Sequence, residues 1–328
     1  MNRRKHPGKF VWFCFILIPV LVMLYSGLRI LESTAFLREQ KAEETGTVTK
    51  TVIHQGKSYF PRQDMTVILL LGIDRTGPAA DSGSYNNAGA ADMAALLILD
   101  EREKCVRILS LNRDTMVEMP VLGLGGKRAG TAVGQLALAH TYGNGLQESC
   151  ENTRAAVSTL FRNLRIDYYL SMGMDAVPVI NDALGGVSVE VTEDFSGVDS
   201  TIRQGTQVLR GAQALEFVRS RKDVGTQLNT GRMERQTRYL QSFAWTLQAR
   251  MEEEEDFLLS VYDTVEPYLV SDLPVNSLQS MLKRYEGYEI AEILSLEGET
   301  VLGEEFYEFH PDAEKLEELT MRLFYAPK

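Results

Sequence analysis

Residues 67–74 read VILLLGID, and residues 91–100 read ADMAALLILD. Each is an apolar run of strand length with an aspartate at or near its end, the pattern of a strand buried on both faces. Val106–Leu111, Tyr168–Met172 and Val187–Val191 are further short runs bounded by turn residues. Helical patterns lie between and after them. Asn152–Leu164 places Val157, Leu160, Phe161 and Leu164 on one face, Ala176–Leu184 stops at Gly185-Gly186, and Arg232–Met251 is a longer helix. Strands alternating with helices define an α/β sandwich with helices on both faces of the sheet.

Upstream of this pattern, residues 10–28 (FVWFCFILIPVLVMLYSGL) carry no charge. Roughly 20 apolar residues cross a bilayer as a helix, and Pro19 in the middle is tolerated there. Arg3, Arg4, Lys5 and Lys9 precede the stretch, and Glu32, Glu39, Glu43 and Glu44 follow it, which places the N-terminus in the cytoplasm. The alternative is a cleaved signal peptide, whose apolar region is normally shorter, about 7–15 residues. The expected organisation is a cytoplasmic tail (1–9), a transmembrane anchor (10–28), a polar stalk (29–63), a folded domain (64–250) and an acidic C-terminal extension (251–328) packed on it. In either reading the body lies outside the membrane.

The chain has 328 residues and a net charge of −11, with 44% hydrophobic residues, which excludes a disordered or disulfide-stapled chain. A net charge of this sign argues against polyanionic ligands, but its distribution does not. Residues 251–328 hold 20 acids and 5 bases, while residues 1–9 contribute +4, so the region between is neutral. Within that region, residues 210–250 carry Arg210, Arg219, Arg221, Lys222, Arg232, Arg235, Arg238 and Arg250 against Glu216, Asp223 and Glu234. The interleaving of basic and aromatic residues that single-stranded nucleic acid requires is absent, so nucleic acid is not an expected partner.

Asp74 closes one buried strand and Asp92 opens another, and two carboxylates at strand ends suit a hard divalent cation such as Mg²⁺. Asn112-Arg113-Asp114-Thr115 follows a third strand and comes to the same edge of the sheet. The densest signal is FVRSRKDVGTQLNTGRMERQ, residues 217–236. Arg219 and Arg221, two apart in an extended segment, point to one side. Arg232, Arg235 and Gln236 share one helical face. Guanidiniums converging without matching acids call for an anion between them, and the planar fork suits phosphate. Weaker signals stay open. GLGGKRAG (123–130) reads as a mobile loop because it lacks the Lys-Ser/Thr of a P-loop. His140 is a general base or a packed helix-end residue, and Cys105 and Cys150 are either paired or, more simply, buried thiols.

In order along the chain, the basic tail and anchor, VILLLGIDRTG, ADMAALLILD, SLNRDT, QLALAHTYGNG, IDYYLSMGMDAVPVINDALGGVSVEV and G-x-QAL-x-FVRSR followed by GRMERQ resemble the LytR-CpsA-Psr family of membrane-anchored cell-wall phosphotransferases. The match covers roughly residues 65–245. The resemblance implies a three-layer α/β/α sandwich around a mixed central sheet, preceded by one transmembrane helix. It implies transfer of a glycopolymer from a polyprenyl-pyrophosphate carrier to peptidoglycan, at the outer face of a Gram-positive cell membrane. Carried over residue by residue, Asp74 and Asp92 would hold Mg²⁺. Arg113, Arg219, Arg221, Arg232 and Arg235 would grip pyrophosphate, Arg75 and Gln236 would assist, and Asp114 would orient an arginine. Many members carry Arg where this chain has Ala90, Asp where it has Asn229, and Lys-x-Asn near Gln135–Ala137. The departures at Ala90 and Asn229 keep one alternative open, a non-catalytic polyprenyl-phosphate-binding envelope regulator, and a polyprenyl-pyrophosphate pyrophosphatase is a third reading.

Overall fold

In chain order, the strands and helices of the computed structural model are β1 (Val52–His54), β2 (Lys57–Pro61), β3 (Met65–Ile73), β4 (Ala91–Asp100), β5 (Cys105–Leu111), β6 (Met116–Leu122), β7 (Arg128–Gln135), α1 (Gln147–Leu160), β8 (Tyr168–Gly173), α2 (Ala176–Ala183), β9 (Val187–Val191), β10 (Gly205–Leu209), α3 (Ala212–Arg219), α4 (Asn229–Glu253), α5 (Phe257–Val265), β11 (Leu269–Ser271), β12 (Glu289–Ser295), β13 (Gly298–Leu302), β14 (Tyr307–Pro311), α6 (Ala313–Phe324) and β15 (Tyr325–Pro327). The structure describes residues 51–328 except 85–87, 124–126, 221–223, 225–228, 255–256, 275–280, 282–283 and 286. The apolar stretch 10–28 therefore lies outside the described residues. Among those that are described, no helix is long and apolar enough to cross a membrane.

Six strands form the central mixed sheet in the order β11-β8-β3-β4-β5-β12. β3 runs antiparallel to β4 and parallel to β8, while β5 runs antiparallel to β4 and parallel to β12. The continuous apolar runs are explained by burial on both faces. Along β3, Val67, Leu69, Leu71 and Ile73 join a cluster with Leu96 and Ile98 of β4, Cys150, Ala156 and Val157 of α1, and Met321 and Phe324 of α6. Ile68, between them, faces the other way and packs with Leu97, Leu99, Val106, Leu170 and Tyr285. A further cluster is built from α2, β9, β10 and α3–α5, where Phe195 and Phe217 stack with centroids 5.6 Å apart.

Helix α2 ends as the sequence leads one to expect. Gly185 and Gly186 have φ of +82° and +98°, and their N–H groups return to the carbonyls of Asp182 and Asn181. A Cβ at Gly186 would meet Leu209 O at 2.9 Å, so glycine is required for the hairpin to close against the helix.

Both edges of the sheet come from beyond residue 250. β11 pairs with β8, β12 lies along β5, and β15 returns to pair with β2 at the opposite end of the chain. Phe324 of α6 meets Phe161 edge to face at 5.7 Å. The segment 123–130, expected as a loop, contains the start of β7. Arg128, Gly130 and the residues after them pair with β6 in an antiparallel hairpin, because small residues leave the strand free to extend although it is exposed. Cys105 and Cys150 are both free and buried. Burial pushes the Cys150 thiol up to about 12.

Candidate active site

β3, β5 and β8 point the same way, so their carboxyl ends meet at one edge, the position where open α/β sheets place ligands. The Asp74 N–H donates to Ala90 O at 2.9 Å, which brings the end of β3 against the residues leading into β4 and Asp92. Past β5 the chain turns sharply. Asn112 Oδ1 accepts the Asp114 N–H at 3.0 Å, and Asn112 O accepts the Thr115 hydroxyl at 2.6 Å, a side-chain-stabilised turn that presents Arg113 to Asp92.

The carboxylates and guanidiniums pair in two groups, Asp92 with Arg113 and Arg232, joined by Asp114, and Asp74 with Arg219. Asp92 is 7% exposed, and its Oδ1 accepts from Arg113 Nη1. Its Oδ2 accepts from Arg232 Nη1 at 2.9 Å, and its backbone carbonyl from Arg232 Nη2 at 3.0 Å. Asp114 lies 3.3 Å from Arg113 Nε. Asp74 is exposed and pairs with Arg219 Nη2 at 3.1 Å. The arginines thus have matching acids after all: the two aspartates read from the sequence as metal ligands are also the counter-ions of the cluster. Three arginines are paired with Asp74, Asp92 and Asp114, so charge at this edge is locally balanced.

The remaining candidates divide. Arg235, 2% exposed, donates from Nε to Phe217 O at 3.0 Å and from Nη2 to Ser220 O, with its guanidinium 5.7 Å from the Phe195 ring centroid. It closes the carboxyl end of α3, while Gln236 Nε2 donates to Val218 O at 3.1 Å beside it. Arg75 turns from the edge to Gly145 O at 2.8 Å, and burial lowers its affinity for its proton. Arg219 is the last residue of α3, not part of an extended segment, and Ser220 after it is extended. Arg221 lies outside the described residues.

Behind Asp92 and Arg113 a cavity of about 210 Å³ runs between the sheet and the helices. Its walls include Leu70, Met93, Ala95, Leu170, Met233 and Phe243, and the polar residues Asp92, Arg113, Ser110, Gln236, Thr237 and Tyr239 also line it. Leu240 and Ile293, also on its wall, are 37% and 38% exposed. The site is therefore a hydrocarbon slot with ionic groups at one place on its wall.

One contributor went unrecognised in the sequence, and one open reading is decided in favour of packing. Gln135 Nε2 donates to Asp114 Oδ1 at 3.0 Å and to Tyr307 O at 2.8 Å, joining the turn after β5 to the β13–β14 hairpin. No motif marks such a link, because its partners lie 21 and 172 positions away. His140, 1% exposed in a short 3-10 turn, donates through Nδ1 to Gly89 O at 2.9 Å. Burial holds it down to about 4, so it is a neutral packed residue fixing the loop that leads to Asp92.

The mixed α/β fold is shared with known proteins. The LytR_cpsA_psr family model matches residues 30–324, and the chain belongs to this family. It is 26% identical over 322 residues to the polyisoprenyl-teichoic acid–peptidoglycan teichoic acid transferase TagU of Oceanobacillus iheyensis, covering 93% of this chain and 90% of that protein. It is 24% identical over 234 residues to the TagT transferase of Bacillus subtilis, 67% of each chain. Among solved structures it resembles B. subtilis TagV, with a TM-score of 0.59 and 24% identity over 80% of this chain and 96% of that one. It also resembles TagT bound to LI-WTA, with a TM-score of 0.57 and 23% identity over 80% and 90% of the two chains. Its class is that of these relatives, a transferase.

Proposed function

We propose that the protein is a phosphotransferase that moves a glycopolymer from a polyprenyl-pyrophosphate carrier to a hydroxyl of peptidoglycan. The observation that carries this reading is the apolar cavity whose wall includes Asp92 and Arg113. An amphiphile with a hydrocarbon tail and a pyrophosphate head matches it end for end. The tail lies along Met93, Ala95 and Phe243 and leaves past the exposed Leu240 and Ile293. Arg113, on the cavity wall, would take phosphate oxygens, with Arg232, bonded to the same Asp92, and Arg219, paired with Asp74, assisting. The TagU and TagT relatives are named for this kind of transfer, with teichoic acid as the cargo.

The residues also fit Mg²⁺. Asp74 and Asp92 are hard oxygen donors at adjoining strand ends, and each carboxylate oxygen engaged by one arginine keeps a second lone pair. Asp74 and Asp92 would hold the ion, which would neutralise charge on the phosphoryl oxygens. The chain's own groups do the rest. Arg113 and Arg232 orient the pyrophosphate and stabilise its developing charge, with Asp114 and Gln135 holding the turn that carries Arg113. The acceptor oxygen bonds to the phosphorus attached to the sugar, and its proton passes to solvent. The bond from that phosphorus to the bridging oxygen breaks, and polyprenyl phosphate leaves.

Localisation follows the same reading: residues 10–28 anchor the chain with its N-terminus in the cytoplasm and the site outside, facing a lipid-borne donor. Full-length protein in detergent, given a polyprenyl-pyrophosphate-linked glycan, peptidoglycan and Mg²⁺, should form the phosphodiester product. Arg113→Ala should slow the reaction by about a hundredfold or more, the loss typical of removing one charge-stabilising donor. An undiminished rate would sink the assignment.

A further inference from the structure

Residues 174–268 leave the sheet and return to it at one place. β8 ends at Gly173, β11 begins at Leu269, and Leu269 is the cross-strand partner of Met172. Between those points lie α2, β9, β10, α3, α4 and α5. The insert also has a core of its own. The cluster that runs from Met174 and Ala176 to Val261 and Val265 draws its members from residues 172–269. Among the described residues, the clusters on the two faces of the sheet draw none from 174–268. A segment with its own core and adjoining ends can move as one body about the two strands that carry it.

The slot is the seam between the insert and the sheet. Leu70, Met93 and Ala95 wall it on one side, and Val177, Met233 and Phe243 on the other. Surfaces that face each other across a cavity have fewer contacts to lose on parting than a packed core has. Polar links across the seam occur at two places. At the hinge, the Met174 N–H donates to Ile73 O at 2.9 Å, the Ala79 N–H to Pro267 O at 2.7 Å and the Gly77 N–H to Asp175 Oδ2 at 2.8 Å. At the ionic edge, Arg219 meets Asp74 and Arg232 meets Asp92, each pair with its arginine on the insert and its carboxylate on the sheet side. The first pair is open to solvent, with side chains 46% and 43% exposed, and the second is enclosed, at 1% and 7%.

That enclosure conflicts with a closed site. A donor of the class proposed above carries hydrocarbon on one side of its pyrophosphate and a polymer on the other. With the tail in the seam and the polymer outside, the head group enters sideways, past Asp74 and Arg219. Arg232 is 1% exposed, so the head group reaches it once the seam has parted. We propose that residues 174–268 are a lid, hinged where β8 meets β11, that parts from the sheet to admit the lipid and closes to bring Arg219 and Arg232 onto its phosphates. The Asp74–Arg219 pair is the outer latch. This proposal rests on the transferase reading and adds how the site is loaded.

Spin labels on full-length protein in detergent read the motion, in a Cys14→Ser background, since Cys105 and Cys150 are buried. Val208→Cys and Trp245→Cys mark the lid, and Val133→Cys and Leu302→Cys mark the body, all at exposed positions. Without ligand, at least one of the cross pairs, 245 with 133 or 208 with 302, should show a second, longer distance beside the main one. Asp74→Asn, which opens the exposed latch, should raise that longer population about two- to fivefold. Polyprenyl pyrophosphate with Mg²⁺ should abolish it in the wild type. The pair 208 with 245, both on the lid, should keep one distance throughout. A single, unchanged distance for both cross pairs in all three states overturns the proposal, and so does a lipid that is retained yet leaves the populations as they were. Should the lipid not be retained, the transferase reading loses its donor, and the response to Asp74→Asn decides this one: a longer population supports the lid, and none contradicts it.

Discussion

Asp92 is nearly buried between Arg113 and Arg232, and that enclosure decides what substitutions do there. Removing one partner of a buried ion pair leaves an uncompensated charge, at a cost of about 3–5 kcal/mol, so loss of activity in an Asp92 variant must be separated from loss of fold. Arg113 is the better probe, since its side chain is 14% exposed where that of Arg232 is 1% exposed. His140 offers a cleaner test of a buried group. Its folded-state value near 4 lies below its ordinary 6.5, chiefly through burial, so the unfolded chain takes up the proton first. Stability from this residue is complete above pH 6.5 and is lost as pH falls toward 4. Between pH 7.5 and 5, urea unfolding of the wild type should lose about 2 kcal/mol more than that of His140→Gln. Identical pH slopes would contradict the neutral, buried assignment.

Strands and helices of the body were legible where burial imposes a pattern. VILLLGID and ADMAALLILD became the adjacent centre strands β3 and β4, and Gly185-Gly186 ended α2. β7 was not legible, since RAGTAVGQ is exposed over most of its length and has no core face to write into the sequence. The aspartates and arginines of the site could be found because they sit at strand ends and in one dense segment. Their pairing could not, because Asp92 meets Arg232 across 140 positions. The same limit hid the brace at the far end of β4. There Asp100 is fully buried, accepts from Arg62 at 2.7 and 2.8 Å and from Arg107 at 2.8 Å, and is held down to about 2. Asp100→Ala would remove the buried acceptor that Arg62 and Arg107 share, leaving them Asp64 and Glu103, and thermal and urea unfolding should register a loss of about 1–3 kcal/mol. A loss within about 0.5 kcal/mol would mean that the brace is only a surface pair.

The acidic stretch beyond residue 250 is woven into the body. It supplies β11 and β12 at the sheet edges, α6 on the core, β15 beside β2 and the aromatic hairpin beside Asp114. Charge is accordingly divided by location, with arginine–aspartate pairs at the sheet edge and glutamates around the hairpin tip. The relation between slot and ion pairs is what this account most depends on. It is tested most directly by a crystal structure of the protein bound to a polyprenyl pyrophosphate in the presence of Mg²⁺. The account predicts the hydrocarbon chain along Met93, Ala95, Phe243 and Leu240, with phosphate oxygens on Arg113 and Arg232 and the ion at Asp74 and Asp92. A lipid bound outside that cavity, or phosphates away from both arginines, would contradict it.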